Sequence, residues 1–467
     1  MAAAAEALSQ AARTVGGMGR LTVVVLCLVQ FVDVLGVTGA TTAIPSIVRS
    51  LGADASAAGL IGSAYATAFG GLLAVGARVG DRVGARRLVL IGVTAFGVIG
   101  VAAAFALDVR LVVLARALQG AAAAVTVPSA LKLLLAVADR DPFRRRAIGM
   151  WSAAGAVAGA CGFITGGVLT QSAGWQAVFW IAGPVSVVLL VALVPLTAPL
   201  PRDRHAGQRV GPVGALLLIA AVACVVFGAS LAERPAGRVS GGGLLGIGVV
   251  AAVLLVVQQR RTPVPLLPSG GLADRNLRTG SATSFVNTAT TSAVAVLATV
   301  QLQTTLRLPP LVAGLALLPI SVAAVLGSLA APRIGAVLPP RRAAAVGLAA
   351  IAAGDGLLAV TAPSLPGTMA GCVLIGLGLG AASVPATAIG TDVPPALLGG
   401  AAGVVNTAAQ LGTALGVAGL VVLATTVGDV GGTVAADLVA ASLALATALV
   451  LLTVTEPRHG AAAAGTP

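Results

Sequence analysis

The sequence predicts an all-α integral membrane protein, and its composition and its apolar runs support that fold class. Hydrophobic residues make up 58% of the 467 residues, charged residues make up only 9%, and the mean hydropathy is +1.03. Soluble domains carry about 25% charged residues, so this composition excludes them. Apolar runs of about 20 residues, long enough for a helix to cross a bilayer, recur along the chain. Such runs also exclude a β-barrel, whose strands alternate over about ten residues.

Fourteen apolar segments are predicted as transmembrane helices, numbered spans 1 to 14. They lie near residues 21–43, 57–77, 88–107, 111–136, 147–170, 175–198, 212–232, 241–258, 280–304, 311–332, 342–362, 366–390, 400–426 and 434–454. They divide the chain into a cytoplasmic tail (1–20), an N-terminal six-helix bundle (21–198), a linker with two inserted helices (199–278), a C-terminal six-helix bundle (279–455) and a second cytoplasmic tail (456–467). The predicted architecture is therefore 6+2+6.

The arginines predict the orientation of the chain. Loops after even-numbered spans hold clusters such as Arg78–Arg87 and Arg140–Arg146, whereas the loops on the opposite side hold few arginines. Positive residues concentrate in cytoplasmic loops, so both termini are expected in the cytoplasm of a multi-pass cell-membrane protein. The same distribution accounts for the net charge of +13 without a nucleic-acid partner.

A short segment between spans 2 and 3 is dense in charge and in glycine. It reads Arg78-Val79-Gly80-Asp81-Arg82-Val83-Gly84-Ala85-Arg86-Arg87. A shift of 255 residues places this segment on a second arginine cluster between Arg333 and Arg342, which indicates a parallel repeat of two six-helix halves. The second copy has Ala336 where the first has Asp81. A marker of topology needs only the arginines, so this difference favours a gating role for Asp81.

These features resemble the major facilitator superfamily and, within it, the fourteen-helix drug:proton antiporters. The resemblance covers residues 21–455, and the segment after span 2 is similar to the superfamily's loop motif, with Ala77 in place of its first glycine. The resemblance implies a gating loop made of Arg78, Gly80, Asp81, Arg82, Gly84, Arg86 and Arg87. The alternative is that these charges only fix the topology.

Span 4 carries a second motif, Arg116-Ala117-Leu118-Gln119-Gly120, which is similar to the family's Arg-x-x-Gln-Gly pattern. An arginine about two turns inside a span is costly, so its side chain is expected to face the interior and find partners. The resemblance implies a role in proton transfer for Arg116, with Gln119 and Gly120 completing the motif. Snorkelling of the arginine to the membrane interface is the alternative.

Span 1 departs from the family pattern at an acidic position. The second aspartate of the pattern is Gly36 here, and Asp33 lies one turn away on nearly the same face of the helix. A carboxyl group in a low-dielectric cavity can exchange protons near neutral pH, so Asp33 is expected to take over the acidic role. Asp355 in span 11 is a second candidate. These are the only two acidic residues that we expect within the spans. The alternative for both is polar packing against neighbouring helices.

Spans 5 and 13 carry two further resemblances. A stripe of glycines in span 5 is similar to the antiporter motif, with Phe163 where a proline is expected; its members are Gly155, Gly159, Gly162, Gly166 and Gly167. Small residues at this spacing allow helices to approach closely. Span 13 matches a family stretch through Asn406 and Gln410, which the resemblance places at the cavity.

The function is inferred from these motifs and from what the sequence lacks. It contains no Gly-x-x-x-x-Gly-Lys-Ser/Thr loop for ATP, no metal-ligand cluster and no catalytic constellation, so we expect no cofactor, no metal and no enzymatic activity. The resemblance implies a proton-coupled efflux antiporter that exports small amphipathic or cationic drugs or antibiotics by alternating access. Its expected partners are that substrate, protons and the bilayer, and it is expected to be a monomer. The alternative is a facilitator or importer of a small metabolite with the same fold.

Overall fold

The computed structural model describes residues 2–54, 57–138, 143–197, 212–232, 238–262 and 274–453. The first half of the chain forms α1 (Ala2–Ser50), α2 (Ala57–Val83), α3 (Ala85–Ala104), α4 (Val109–Val137), α5 (Phe143–Ala173), α6 (Trp175–Trp180) and α7 (Ala182–Leu196). The inserted pair is α8 (Pro212–Ala232) and α9 (Arg238–Arg261). The second half forms α10 (Arg275–Val300), α11 (Pro310–Val337), α12 (Pro340–Thr361), α13 (Leu365–Thr391), α14 (Pro395–Val427) and α15 (Asp429–Thr453).

Helices occupy all fourteen of the predicted span positions. Within the described residues, twelve stretches are long and apolar enough to cross a membrane, and α6 and α7 together form one of them, Trp175–Leu196. The two other predicted spans coincide with α2 and α8, whose apolar stretches, Ala57–Leu73 and Leu216–Val225, are shorter. The predicted all-α fold class is therefore confirmed.

Proline pairs set the start of three helices in the second half. Pro309, Pro339 and Pro394 each precede a helix whose first residue is also a proline. Proline suits that first position, because its fixed φ is already helical and the amide hydrogen it lacks has no partner inside the helix. The boundaries of α11, α12 and α14 thus follow directly from the sequence.

The two halves repeat at the offset seen in the sequence. α3 begins at Ala85 and α12 begins at Pro340, which is 255 residues later. α2 and α11 end 254 residues apart, at Val83 and Val337. Corresponding helices therefore begin and end at equivalent positions, as expected for a parallel repeat.

Packing divides these helices into two bundles that meet along two seams. In the first half α1 packs on α5 and α2 packs on α4; in the second half α13 packs on α11 and α12, and α10 packs on α14. Between the halves, α2 contacts α14 and α5 contacts α11. The inserted helices α8 and α9 pack on each other, and α8 also contacts both α2 and α14. The inserted pair therefore covers one of the two seams.

Within the described residues, the most extensive hydrophobic core shared by the two halves lies at one end of the bundle. At the end where α1 finishes, here called the Ser50 end, Ile47 of the first half and Val421 of the second belong to one buried cluster. At the opposite end, here called the arginine end, Leu134 and Leu348 belong to separate clusters, each confined to its own half. The two halves are therefore held together most extensively at the Ser50 end.

The segment predicted as a loop between spans 2 and 3 is mostly helical, which corrects the sequence interpretation. α2 continues through Val83 and α3 begins at Ala85, so only Gly84 is not helical. Its φ of 103° lies in a region that residues with a Cβ rarely adopt. The turn is tight because one glycine reverses the chain.

Candidate transport site

A buried polar network lies inside the first half, between α1, α2 and α4. The Tyr65 hydroxyl of α2 donates a hydrogen bond of 2.5 Å to Asp33 Oδ1 of α1. The Arg116 guanidinium of α4 lies over the Tyr65 ring, with Cζ 4.9 Å from the ring centroid, which is within the range of a cation–π interaction. Arg116 is 2% exposed and Tyr65 is 4% exposed. Arg116 therefore faces the protein interior, and the snorkelling alternative is wrong.

Arg116 makes two long hydrogen bonds within this network. Its Nη1 donates to the Gly36 carbonyl at 3.5 Å and to Gln119 Oε1 at 3.4 Å. Its Nε has no hydrogen-bond partner among the described residues. Arg116 and Asp33 attract each other electrostatically, although no ion pair within 4.0 Å joins them in the described part of the chain. This arginine therefore retains unused capacity to bind an acidic or polar group.

The structure explains why position 36 carries a glycine. A Cβ added at Gly36 would lie 3.1 Å from Cζ of Phe96, so an aspartate there would press against an aromatic ring of α3. The acid instead lies one turn away at Asp33, where the Tyr65 hydroxyl is within reach. Gly120 keeps α4 close to α2, because a Cβ at that position would collide with the Tyr65 carbonyl oxygen.

Asp33 also borders a small cavity within the first half. This cavity has a volume of about 20 Å³ and is lined by side chains of α1, α3, α4 and α7, including Phe96, Thr126 and Ser186. The hydroxyl of Ser186 is buried and has no hydrogen-bond partner among the described residues. The volume is about that of one water molecule.

A larger cavity of about 270 Å³, here called the central cavity, lies between the two halves. The first half contributes Thr38 of α1 and the α5 residues Gly155, Gly159 and Phe163 to its lining, while the second half contributes residues of α10, α11 and α13. Asp33 is not part of the described lining. The proposed acidic residue and the central cavity are thus separate sites that share helix α1.

The glycine stripe of α5 faces two neighbouring helices. Gly162 and Gly166 lie against α1, where a Cβ would collide with the hydroxyls of Thr38 and Thr42. Gly167 lies against α11 of the other half, where a Cβ would lie 2.8 Å from the Leu311 Cα. Helix α5 therefore links the helix that carries Asp33 to the seam between the halves.

Two hydrogen bonds cross between the halves at the Ser50 end. Gln303 lies in a π-helical turn, Gln301–Thr305, that follows α10, and its Nε2 donates to the Thr42 carbonyl of α1 at 2.8 Å. The Leu311 amide of α11 donates to Gln171 Oε1 of α5 at 3.3 Å. These bonds supplement the shared hydrophobic core at that end.

Two acidic residues are buried within the second half. Asp355 of α12 is fully buried, and neither of its carboxyl oxygens has a hydrogen-bond partner among the described residues. Asp437 of α15 is 3% exposed and lies near enough to interact electrostatically with Asp355. The expectation that only Asp33 and Asp355 lie within spans is wrong, because Asp437 is a third such acid.

The structure describes part of the predicted gating loop. Arg86 Nη2 donates to the Val194 carbonyl at 2.9 Å and its Nε donates to Thr197 Oγ1 at 3.3 Å, which ties α3 to the end of α7. Gly80 is buried, and a Cβ there would lie 2.9 Å from the Ser129 hydroxyl of α4. Arg82 and Arg87 are exposed. The side chains of Arg78 and Asp81 lie outside the described residues, so the gating role of the loop stays a prediction.

Gly84→Ala is expected to destabilise the turn between α2 and α3. A residue with a Cβ held at a φ of 103° costs of order 1–3 kcal/mol, so the variant should unfold at a lower temperature in detergent. Gly335→Ala is the matched control, because that glycine lies at the end of α11, has an ordinary φ and leaves open space for a Cβ. Equal melting temperatures for the two variants would contradict this account of the turn.

The two α14 residues that were predicted at the cavity, Asn406 and Gln410, are not part of its described lining. Gln410 packs against α2, because a Cβ added at Gly70 would lie 2.6 Å from the Cβ of Gln410. Asn406 is exposed on the same helix. Gln410 therefore lies at the seam between α2 and α14, and the assignment of both residues to the cavity stays a prediction.

Sequence reasoning missed two residues of these buried networks. Tyr65 lies in an apolar run without a charged neighbour, but as the only tyrosine of the chain it was a signal that a buried hydroxyl needs a partner. Asp437 falls inside the segment predicted as span 14, 434–454, so the rule that ionisable residues within spans are functional candidates was sufficient to find it.

Comparison with protein families identifies the fold. The family model described as "Major Facilitator Superfamily" matches residues 26–417, which is most of the chain. The chain belongs to the major facilitator superfamily. This superfamily consists of transporters, so the protein is a multi-pass membrane transporter and not an enzyme.

Curated superfamily relatives of this transporter are resistance and export proteins. It is 35% identical to the puromycin resistance protein pur8 of Streptomyces alboniger, over 85% of this chain and 80% of the relative. It is 31% identical to the multidrug efflux pump LfrA of Mycolicibacterium smegmatis, over 81% and 75%. It is 33% identical to the tetracenomycin C resistance and export protein of Streptomyces glaucescens, over 83% and 72%. The transporter is thus related to drug and antibiotic efflux proteins.

Solved structures support the same fold. The nucleoside transporter NupG (D323A mutant) superimposes with a TM-score of 0.67 at 14% identity, covering 92% of this chain and 99% of NupG. A bacterial homologue of the human lysosomal transporter Spinster, in an inward-facing and unoccupied conformation, gives a TM-score of 0.65 at 16% identity, covering 93% and 95%. At these identities the likeness shows the major facilitator fold of this transporter and not its substrate.

Proposed function

We propose that this transporter is a proton-coupled efflux antiporter of the fourteen-helix drug:proton family, which exports small amphipathic or cationic drugs or antibiotics by alternating access. The observation that carries the proposal is the buried network in which Tyr65 holds Asp33 beside Arg116. Ionisable residues are rare within membranes and usually mark ion pathways. Its relation to resistance and export proteins supports outward transport of a drug-like molecule.

Helix α1 provides a physical link between proton binding and the conformation of the bundle. A proton on Asp33 removes the attraction between its carboxylate and Arg116, and so changes what holds α1 against α4. Nine residues further along α1, the Thr42 carbonyl accepts the hydrogen bond from Gln303 that joins the two halves at the Ser50 end. Protonation of Asp33 and closure of the Ser50 end therefore act on the same helix. Asp355 is retained as a second proton-binding candidate.

We further propose that both termini are cytoplasmic and that the protein acts as a monomer. With that orientation the arginine end faces the cytoplasm, and the shared hydrophobic core closes the outer side of the transporter. One chain supplies both walls of the central cavity, so a single copy is sufficient for alternating access. Fusion of reporter domains to each terminus would test the orientation.

Transport into proteoliposomes tests the function. When the substrate concentration is the same on both sides of the membrane, an imposed pH gradient is expected to drive accumulation of a radiolabelled antibiotic. A protonophore is expected to abolish this accumulation. Arg116→Ala is expected to remove the pH-driven accumulation, because it removes the cation that the Asp33 carboxylate interacts with. Entry of substrate that only equilibrates across the membrane, and that neither the pH gradient nor the protonophore changes, would overturn proton coupling and favour a facilitator.

A further inference from the structure

The lining of the central cavity carries information about what the transporter selects. Among the described residues that line it, none is charged, and five carry a hydroxyl group: Thr38, Thr291, Ser292, Ser321 and Ser328. The other lining side chains are apolar or are glycines. A cavity of this kind combines an apolar surface with a few hydrogen-bonding groups, as small-molecule sites do.

Two of these hydroxyls have no hydrogen-bond partner among the residues that the structure describes. Thr38 and Thr291 donate to backbone carbonyls of their own helices, at 3.1 Å and 2.7 Å, and Ser292 lies 3.2 Å from the Thr413 hydroxyl. In the described part of the chain, Ser321 and Ser328 make no hydrogen bond. They lie seven residues apart, which places them two turns apart on the same face of α11. This face presents two free hydroxyls to the cavity.

The nearest proposed proton site does not supply a charge to this cavity. Asp33 is bound to Tyr65 and borders the separate small cavity inside the first half, while α1 contributes only Thr38 to the described lining of the larger one. A permanent cation that leaves water for this cavity would therefore find no carboxylate to replace its hydration. Burial of an unpaired charge is among the largest penalties in protein interiors.

We propose that the substrates are uncharged amphipathic molecules, and that Ser321 and Ser328 select them by hydrogen bonding to their hydroxyl, carbonyl or amide groups. This inference rests on the proposed efflux function and narrows its substrate class. A hydroxyl both donates and accepts, so the pair binds either kind of polar group on an otherwise apolar molecule. Permanent cations are excluded by the absence of a counter-charge rather than by size.

The test compares two classes of probe in proteoliposomes under the same pH gradient. Chloramphenicol, florfenicol and Nile red serve as uncharged probes, and ethidium and tetraphenylphosphonium serve as permanent cations. The wild-type protein is expected to transport at least one uncharged probe with saturable kinetics and neither cation. Transport of the cations at comparable or higher rates would overturn the inference while leaving the efflux function intact. Absence of pH-driven transport of every probe would instead overturn the efflux function itself.

Variants of α11 then test the two serines. The double variant Ser321→Ala/Ser328→Ala is expected to raise the KM for the transported uncharged probe about tenfold, because two hydrogen bonds are lost. Ser321→Asp is expected to lower that transport and to introduce transport of ethidium. Ser442→Ala is the matched control, since that exposed hydroxyl on α15 bonds only the carbonyl of Leu438 in the described structure and should leave all rates unchanged. An unchanged KM in the double variant, with normal protein levels, would refute the assignment of these serines.

Discussion

Asp33→Asn is expected to abolish pH-driven accumulation of substrate while leaving the protein folded and inserted. Asparagine has nearly the same shape as aspartate and can still accept the Tyr65 hydrogen bond, but its amide cannot bind and release a proton. Accumulation in proteoliposomes should fall to the level of vesicles without protein. Exchange of labelled for unlabelled substrate without a pH gradient should continue, because the substrate cavity does not include Asp33.

Two variants make this result specific to the buried carboxyl. Asp108→Asn neutralises an acid at the N-terminus of α4, where the side chain accepts a hydrogen bond from the Arg110 amide at 2.8 Å, and asparagine caps helices equally well. It should therefore transport normally. Asp355→Asn tests the second candidate by the same assay. Undiminished accumulation in Asp33→Asn, together with its loss in Asp355→Asn, would transfer the coupling role to the second half.

Most of the fold follows from the sequence because hydrophobic length and charge placement determine it. Each apolar run became a helix, since a membrane-spanning backbone must satisfy its own hydrogen bonds. The repeat offset of 255 residues, read from arginine clusters, reappears in the starts of α3 and α12. The extent of the loop at residues 78–87 was not predictable in this way, because charged residues form helical turns as readily as loops outside the bilayer.

The candidate site was only partly predictable, because helix faces can be inferred from spacing but contacts between helices cannot. Asp33 and Arg116 were identified by the cost of placing charges in a membrane. Their connection through Tyr65 depends on the packing of α2 against α4, which spacing within one helix does not reveal. The crowding of position 36 likewise depends on the reach of the Phe96 side chain from α3 to α1.

Gly314→Leu is expected to prevent closure of the Ser50 end. Gly314 of α11 lies so close to α5 that a Cβ would collide with the Phe163 carbonyl oxygen, and backbone cannot move aside as a side chain can. Insertion of a larger residue into a packed contact typically costs about 1–3 kcal/mol. Because this contact must separate in the opposite state of an alternating-access cycle, the cost falls on one state, and the conformational equilibrium should shift by about 5- to 150-fold.

Labelling of a single cysteine measures that shift. In a background without the native cysteines, a cysteine introduced at Ser292, which lines the cavity, should react faster from the side of the Ser50 end in Gly314→Leu than in the unsubstituted protein. Transport should fall in parallel, because one half of the cycle is blocked. Gly335→Leu on the same helix has open space at its Cβ and is the matched control. Equal labelling rates in the two variants would mean that the α5–α11 contact does not separate during transport. The cavity would then have to open toward the Ser50 end along another contact between the two bundles.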